Sequence, residues 1–323
     1  METFEILAKK NRRRNTKKIL ILSIAVVLSF ISIYIATRTV LEKMTEHHMT
    51  EVTNFYENRL QIAYPNIYSN SNIHNTTGFS NLYQLSRFKD VDGVTVPYDT
   101  VTASVGPNLE KIDHVADSVI PTSGVNKNIM AFNAGQRVKI PLFFNIKNKD
   151  ETDIMPTPSQ ELPLVSEMKG QLVEVALTFD RPYTYSELQS MLPSNLKVNW
   201  YWLGTYSNYN TENLNISNIF GFKLTKDDAE YSFDIFKTHL KNSLKDKHGL
   251  TSITTSKGEL YNTKKELEYL NKTFKNLEDC TFSGVILTGK AENFAQLEDK
   301  EWIYASSIGA SVPNQPYYKL DKE

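Results

Sequence analysis

The run ILILSIAVVLSFISIYIA, Ile19 to Ala36, carries no charge, proline or glycine and divides the chain into two unequal parts. As a helix it would span about 27 Å at roughly 1.5 Å per residue, close to the hydrocarbon thickness of a bilayer, about 30 Å. Lys9, Lys10, Arg12, Arg13, Arg14, Lys17 and Lys18 precede it, and Arg38 and Lys43 are the only basic residues soon after. The positive-inside bias predicts a single-pass protein of the cell membrane. Residues 1–18 form a cytoplasmic basic segment, 19–36 the transmembrane helix, and residues from about 38 onward are extracytoplasmic. A cleaved signal peptide is the competing reading, but its apolar region would be about 7–15 residues long and end in a small-x-small site. Tyr34-Ile35-Ala36-Thr37 offers none.

The whole chain holds 36 basic and 37 acidic residues; beyond residue 18 there remain 29 and 35, a net charge of −6. Such a surface has no basic footprint for nucleic acid, which excludes direct nucleic-acid binding from the expected partners. Of 17 Tyr and 16 Phe, all but Phe4, Phe30 and Tyr34 lie beyond the membrane run, too many for a disordered stalk. The outer part is long enough for two domains. Cys280 is the only cysteine, so packing rather than a disulfide must hold that part together. It reads as a small hydrophobe ahead of a strand at Phe282, not as a nucleophile or redox sensor.

Thr39 to Tyr64 keeps helical spacing of apolar residues and meets no proline before Pro65, which predicts a helical stalk over 37–64. Adjacent His47 and His48 diverge by about 100° around such a helix, a poor metal pair, and are expected to be solvated. Residues 65–150 read as a β-rich extracytoplasmic domain. Its strands are Gly93 to Val96, ending at Pro97; Val101 to Val105; and Arg137 to Ile146. Asp90-Val91-Asp92-Gly93 begins like a calcium loop, but Val94 to Val101 lacks the later ligands, so a turn is expected. Pro156, Pro158 and Pro163 mark a linker over 151–163.

Residues 164–323 read as an α/β C-terminal domain, making the chain α+β overall. Leu172 to Phe179 and Leu196 to Leu203 form two strands around a short helix opened by the capping box Thr184-Tyr185-Ser186-Glu187. Phe282 to Thr288 and Trp302 to Ile308 repeat the pattern around a helix at Glu292 to Leu297. Two β-α-β units in one sheet, covered on a face by helices, are expected. The helical insertion between them comprises Asp228 to Lys245 and Thr263 to Leu277. Core stripes there are Tyr231, Ile235, Phe236, Leu240 and Leu244, then Leu267, Leu270, Phe274 and Leu277.

No catalytic, cofactor or metal site emerges, and the chain reads as a non-enzyme. Ser306-Ser307-Ile308-Gly309 lacks the leading glycine of a nucleophile elbow, and His74, His114, His239 and His248 are scattered. Trp200 and Trp202 share one face of a strand with Tyr201 on the other. That suits core packing, or a ligand platform for a glycan or peptide.

Four stretches give the chain a likeness: Gln171-Leu172-Val173-Glu174-Val175-Ala176-Leu177-Thr178-Phe179-Asp180-Arg181-Pro182-Tyr183, Val198-Asn199-Trp200-Tyr201-Trp202, Gly221-Phe222, and Ile303-Tyr304-Ala305-Ser306-Ser307-Ile308-Gly309-Ala310-Ser311-Val312. Together with Phe4-Glu5-Ile6-Leu7-Ala8-Lys9-Lys10 before the membrane run, they resemble the sigma-factor regulator family of Bacillus-like bacteria. The resemblance implies an anti-sigma factor that holds an extracytoplasmic-function sigma factor inactive at the inner face and answers to an envelope signal. Phe4, Ile6 and Leu7 are then the apolar positions for a sigma contact. Family members that bind sigma directly usually carry a longer cytoplasmic segment than residues 1–18. A sensor module that acts with another membrane protein, with the short segment reading only the lipid bilayer, is therefore the alternative.

Overall fold

The computed structural model describes residues 2–322 apart from 78, 109, 113–116, 125–128, 148–157, 226 and 257. Helix α1 (Glu2–Ile62) contains neither Pro nor Gly and runs unbroken from the basic segment through the apolar run and beyond. It is long and apolar enough to cross a membrane, and its apolar window touches nothing else in the protein. The hydroxyls of Ser23 and Ser29 donate to the carbonyls of Ile19 and Ala25, 2.9 Å each, so they place no unpaired donor in the apolar stretch.

The C-terminal half of α1 continues the helix through the expected stalk, and one of its faces is covered. Met49, Val52, Phe55 and Tyr56 are buried against Tyr83, Leu85, Val101 and Ala103. These belong to an antiparallel meander of β1 (Ile67–Thr77), β2 (Ser80–Val91), β3 (Val94–Val105) and β4 (Glu110–Ile112), paired in chain order. Apolar residues repeating every three to four positions make a face that needs a partner, and the meander supplies it. His48 is correspondingly half-buried, its Nδ1 2.9 Å from the Gly106 carbonyl oxygen, while His47 stays exposed.

Asp92 and Gly93, with φ of +56° and +89°, form the two-residue turn joining β2 to β3, where the calcium-like start was read as a turn. Pro97 does not end a strand. It lies inside β3 opposite Phe88, beside a register shift between Arg87 and Phe88, while β4 covers only Ala103 to Val105 on the other side. A bulge with an open far edge asks for no N–H from that residue.

A small sheet follows, of β5 (Val119–Ser123), β6 (Ile129–Asn133) and β7 (Lys139–Ile140). The expected strand from Arg137 to Ile146 survives only as β7. Beyond Pro141 the chain crosses the face of a larger sheet: Phe143 stacks on Trp202 with centroids 4.8 Å apart, and the Phe144 N–H donates to the Thr178 hydroxyl at 3.1 Å. These apolar residues are buried by face packing, not by edge pairing. Residues 151–157 of the expected linker, and His114, lie outside the described residues. The linker's other end is packed: Ser159 and Glu161 are buried, and α2 (Leu162–Val165) follows.

The remaining elements are β8 (Gln171–Thr184), α3 (Tyr185–Met191), β9 (Lys197–Trp202), β10 (Gly221–Phe222), α4 (Ala229–Ser243), β11 (Ser252–Thr255), β12 (Gly258–Asn262), α5 (Thr263–Thr273), β13 (Thr281–Lys290) and β14 (Ile303–Pro313). Five of them form a sheet in the order β10-β9-β13-β8-β14, every neighbour antiparallel. Thus β8 and β9, joined through α3, run parallel with β13 between them. Likewise β13 and β14, joined through the 3-10 turn Ala291–Leu297, run parallel with β8 between them. Each split β-α-β pair grips a strand of the other. The capping box at Thr184 and Glu187 is fully formed.

On one face of this sheet Val173, Val175, Leu177 and Phe179 pack against Phe236 and Leu240 of α4 and Leu267 and Leu270 of α5. Tyr231 is 62% exposed and not part of that stripe; Phe233 takes the inward position instead. Phe274 closes α5 as its C-cap, so that helix ends before the expected Leu277. Cys280 is fully buried, which pushes its thiol up to about 12.

Candidate functional site

The opposite face of β8 presents Leu172, Glu174, Ala176 and Thr178, all fully buried. Glu174 is an acid inside a strand otherwise fit for a core, and its partners come from far away in the chain. The Lys89 ammonium of β2 lies 2.6 Å from Oε2, the Ala310 N–H of β14 donates to the same oxygen at 2.9 Å, and the Asn66 amide donates to Oε1 at 2.8 Å. Lys89 and Glu174 are at most 1% exposed, so the pair joins the meander to the larger sheet in a dry setting.

Polar contacts continue from this pair. Asn199 of β9 donates to the Asn66 side-chain oxygen at 3.0 Å and to the Asp90 carbonyl at 2.9 Å. The Thr288 hydroxyl of β13 donates to Asn199 Oδ1 at 2.7 Å and accepts the Asp92 N–H at 3.0 Å. The C-terminal tail closes the far side, where the Lys322 N–H donates to Asp92 Oδ1 at 2.9 Å. Burial pushes the Asp92 carboxyl up to about 6, more than that hydrogen bond holds it down.

A second buried cluster sits beside the first. Arg87 grips Asp99 with two parallel bonds, Nε–Oδ1 at 2.6 Å and Nη2–Oδ2 at 2.7 Å, and reaches Asp117 with Nη1 at 2.5 Å. The Tyr64 hydroxyl donates to the other Asp117 oxygen at 2.7 Å, and Asn133 of β6 donates to Asp99 at 2.8 Å. Burial and then the negative charge of Asp117 push the Tyr64 phenol well up. Burial would lower the Arg87 guanidinium, but the carboxylates of Asp117 and Asp99 outweigh it and hold it above its ordinary value.

Both clusters are tied to the C-terminal end of α1. After Ile62 the chain reverses through Tyr64 and Asn66, with φ of +60° and +53°, a conformation that is costly for a residue as bulky as tyrosine. Tyr64 belongs to the arginine cluster and Asn66 to the lysine cluster, so the side chains at this reversal are fixed by both networks. One turn earlier, Arg59 is fully buried between the rings of Phe55 and Phe220, 5.5 and 5.4 Å from their centroids, and none of its guanidinium nitrogens has a hydrogen-bond partner.

Of the residues singled out in the sequence, Phe4, Ile6 and Leu7 are exposed at the N-terminal end of α1, at 84, 66 and 59%. Trp200 and Trp202 do share a face, but that face is filled: both are buried, with Phe143 packed over them, and Tyr201 lies in the core on the other side. Among the described residues no group of His, Cys, Asp or Glu is placed to hold a metal ion.

Three of the stretches that gave the sequence its likeness meet at this junction through Glu174, Asn199 and Gly309-Ala310. A Cβ on Gly309 would lie 2.2 Å from Glu174 Oε2, and one on Gly221 would lie 2.0 Å from the Tyr201 carbonyl oxygen. Comparison with known families matches residues 6–96 to the sigma factor regulator N-terminal family and residues 165–310 to the sigma factor regulator C-terminal family. The chain belongs to the sigma-factor regulator family. It is a regulator of transcription of the anti-sigma type. No curated protein and no solved structure matches it significantly. The N-terminal match runs from the basic segment into β3 and the C-terminal match from α2 into β14. The Lys89–Glu174 pair therefore binds one sigma-factor regulator region to the other. Sequence reasoning missed both ion clusters; the only trace was an acid, Glu174, at the centre of an apolar strand.

Proposed function

We propose that this sigma-factor regulator is a single-pass membrane anti-sigma factor whose inner segment, residues 1–18, restrains an extracytoplasmic-function sigma factor, and whose outer part relays an envelope signal through α1. One observation carries the reading: α1 is a single unbroken helix, exposed at Phe4, Ile6 and Leu7, and held at its other end by two buried ion clusters. A helix without Pro or Gly transmits a shift or rotation along its length instead of absorbing it at a kink. A change at the junction would then move the inner apolar positions, which are the natural contact for a protein partner. Orientation follows from the bias of seven basic residues before the apolar run against Arg38 and Lys43 after it.

The test is recovery of the partner from intact membranes, with a photo-crosslinking residue at Phe4 of the full chain. A sigma factor in the crosslinked product supports the proposal. A product containing only another membrane protein, or lipid, would overturn direct sigma binding. Orientation is tested separately with a reporter that works only outside the cell, fused after Glu323, which should be active.

A further inference from the structure

Two cavities flank α1 on the side of strand β1. One, of about 660 Å³, is lined by Glu57, Leu60 and Gln61 of the helix with Ile67, Tyr68, Ser69 and Ser71 of the strand. The other, of about 720 Å³, is lined by Arg38, Glu46, Met49 and Thr53 with Ile73 and Phe79. The helix residues keep to one side of α1, so both cavities follow one helix face beside strand β1. They are successive sections of a groove that begins beside the apolar run at Arg38 and runs along the helix to Gln61, about 35 Å at 1.5 Å per residue.

Strand β1 forms one wall of this groove and is the edge of its sheet, paired only with β2. Its residues Ile67–Thr77 include no Pro, Gly, Lys, Arg, Asp or Glu, and its register is unbroken from Ile67 to Asn75. Asn70 to His74 are exposed. Edge strands are usually protected by charge, proline, a bulge or a cover, and this stretch has none of them. Among the described residues no other strand pairs with the outward edge from Asn70 to His74.

The surroundings select the occupant. A sugar would need a free aromatic face, but Tyr68 is stacked on Phe88 at 5.9 Å with Lys223 over its ring at 5.4 Å, and Phe143 covers Trp200 and Trp202. Antiparallel pairing with a second copy does not fit either. The chain reverses after α1, and just past β1 the Phe79 carbonyl accepts from the Thr45 hydroxyl at 2.8 Å, so β1 runs back along α1 toward the apolar run. Antiparallel self-pairing would point the second copy's α1 the opposite way, and the two apolar runs could not share a bilayer. The helix wall carries exposed Glu42, Glu46 and Glu57 against Arg38, itself paired with Glu42. It is net acidic.

We propose that this groove is a docking site in which an extended segment of another polypeptide adds to the free edge of β1, with basic side chains facing α1. The proposal needs only the fold and is independent of sigma binding. Its test uses the full chain in lipid nanodiscs and a phage-displayed library of random twelve-residue peptides, followed by hydrogen exchange of the complexes. Enriched peptides should carry Lys or Arg at alternate positions and slow exchange of the amides of residues 68–74 at least tenfold. The double variant Asn70→Lys/Asn72→Lys puts charge on the edge while keeping the β2 pairing, and should weaken binding at least tenfold with unfolding temperature unchanged. The proposal fails if no peptide is enriched over empty nanodiscs, if protection falls elsewhere, or if the double variant binds equally well. It also fails if β1 becomes protected without peptide as protein concentration rises, which would assign the edge to a second copy.

Discussion

Removing either partner of the Lys89–Glu174 pair should cost far more than removing both. At 2.6 Å, with an effective dielectric constant of about 20, the gross attraction is about 6 kcal/mol, much of it offset by taking both charges out of water. Lys89→Met strands a buried carboxylate that keeps only the Asn66 and Ala310 donors, and about 3–5 kcal/mol of stability should be lost. Glu174→Met strands the ammonium and also orphans those two donors, so its cost should be at least as large. In the double variant no buried charge remains, and only the two unpaired donors count against it, roughly 2–3 kcal/mol. The two single costs should therefore exceed the double cost by about 3 kcal/mol or more. Denaturant unfolding followed through Trp200, Trp202 and Trp302 measures all four proteins of the cycle. Additive costs, or single costs below about 1 kcal/mol, would refute a dry, coupled pair and with it the joint between the two family regions.

Three further outcomes follow from the same structure. Arg59→Met should raise stability by about 1–3 kcal/mol in thermal unfolding, because the buried guanidinium has ring faces but no hydrogen-bonding acceptor; a lower unfolding temperature would mean the cation is satisfied. Burial pushes the Glu266 carboxyl up to about 7 against the bonds from Thr205 and Tyr206, so the folded state holds that proton more tightly than the unfolded one. Its stabilising contribution is complete below the ordinary carboxylate range and is lost as pH rises through about 7. Glu266→Gln should flatten stability between about pH 5 and 8, whereas an unchanged slope would show that the group does not titrate there. Gly309→Ala should destabilise by about 2 kcal/mol or more, since the new Cβ would lie 2.2 Å from Glu174 Oε2 and 2.8 Å from Pro141 Cδ; an unchanged unfolding temperature would show that the strand has room to shift.

Local chemistry was legible in the sequence wherever neighbours in the chain settle it. The apolar run, the Asp92-Gly93 turn, the Thr184-Glu187 capping box and the strands around Leu172 and Phe282 all depend on short spacings. What could not be read is which distant surfaces meet. Period-two alternation puts Glu174 on the face opposite Val173 and Val175, but Lys89 is 85 residues away and nothing local names it. The spacing of Met49, Val52, Phe55 and Tyr56 indicates a helix face, yet only the fold supplies the meander that buries it. Phe143 and Phe144 look like strand residues because burial on a sheet face and burial within a strand ask for the same side chains. Tyr231 has the right spacing for a core stripe, but α4 is rotated so that Phe233 faces the core and Tyr231 faces outward.

The central claim, that the inner end of α1 restrains a sigma factor, is tested most directly by transcription from a promoter that depends on that factor. Phe4→Ser/Ile6→Ser/Leu7→Ser removes the exposed apolar contacts and leaves the seven basic residues that set orientation. With the variant present in the membrane at the normal level, transcription should rise to the level seen when the whole chain is deleted. Transcription that stays repressed would contradict direct restraint of sigma by this helix.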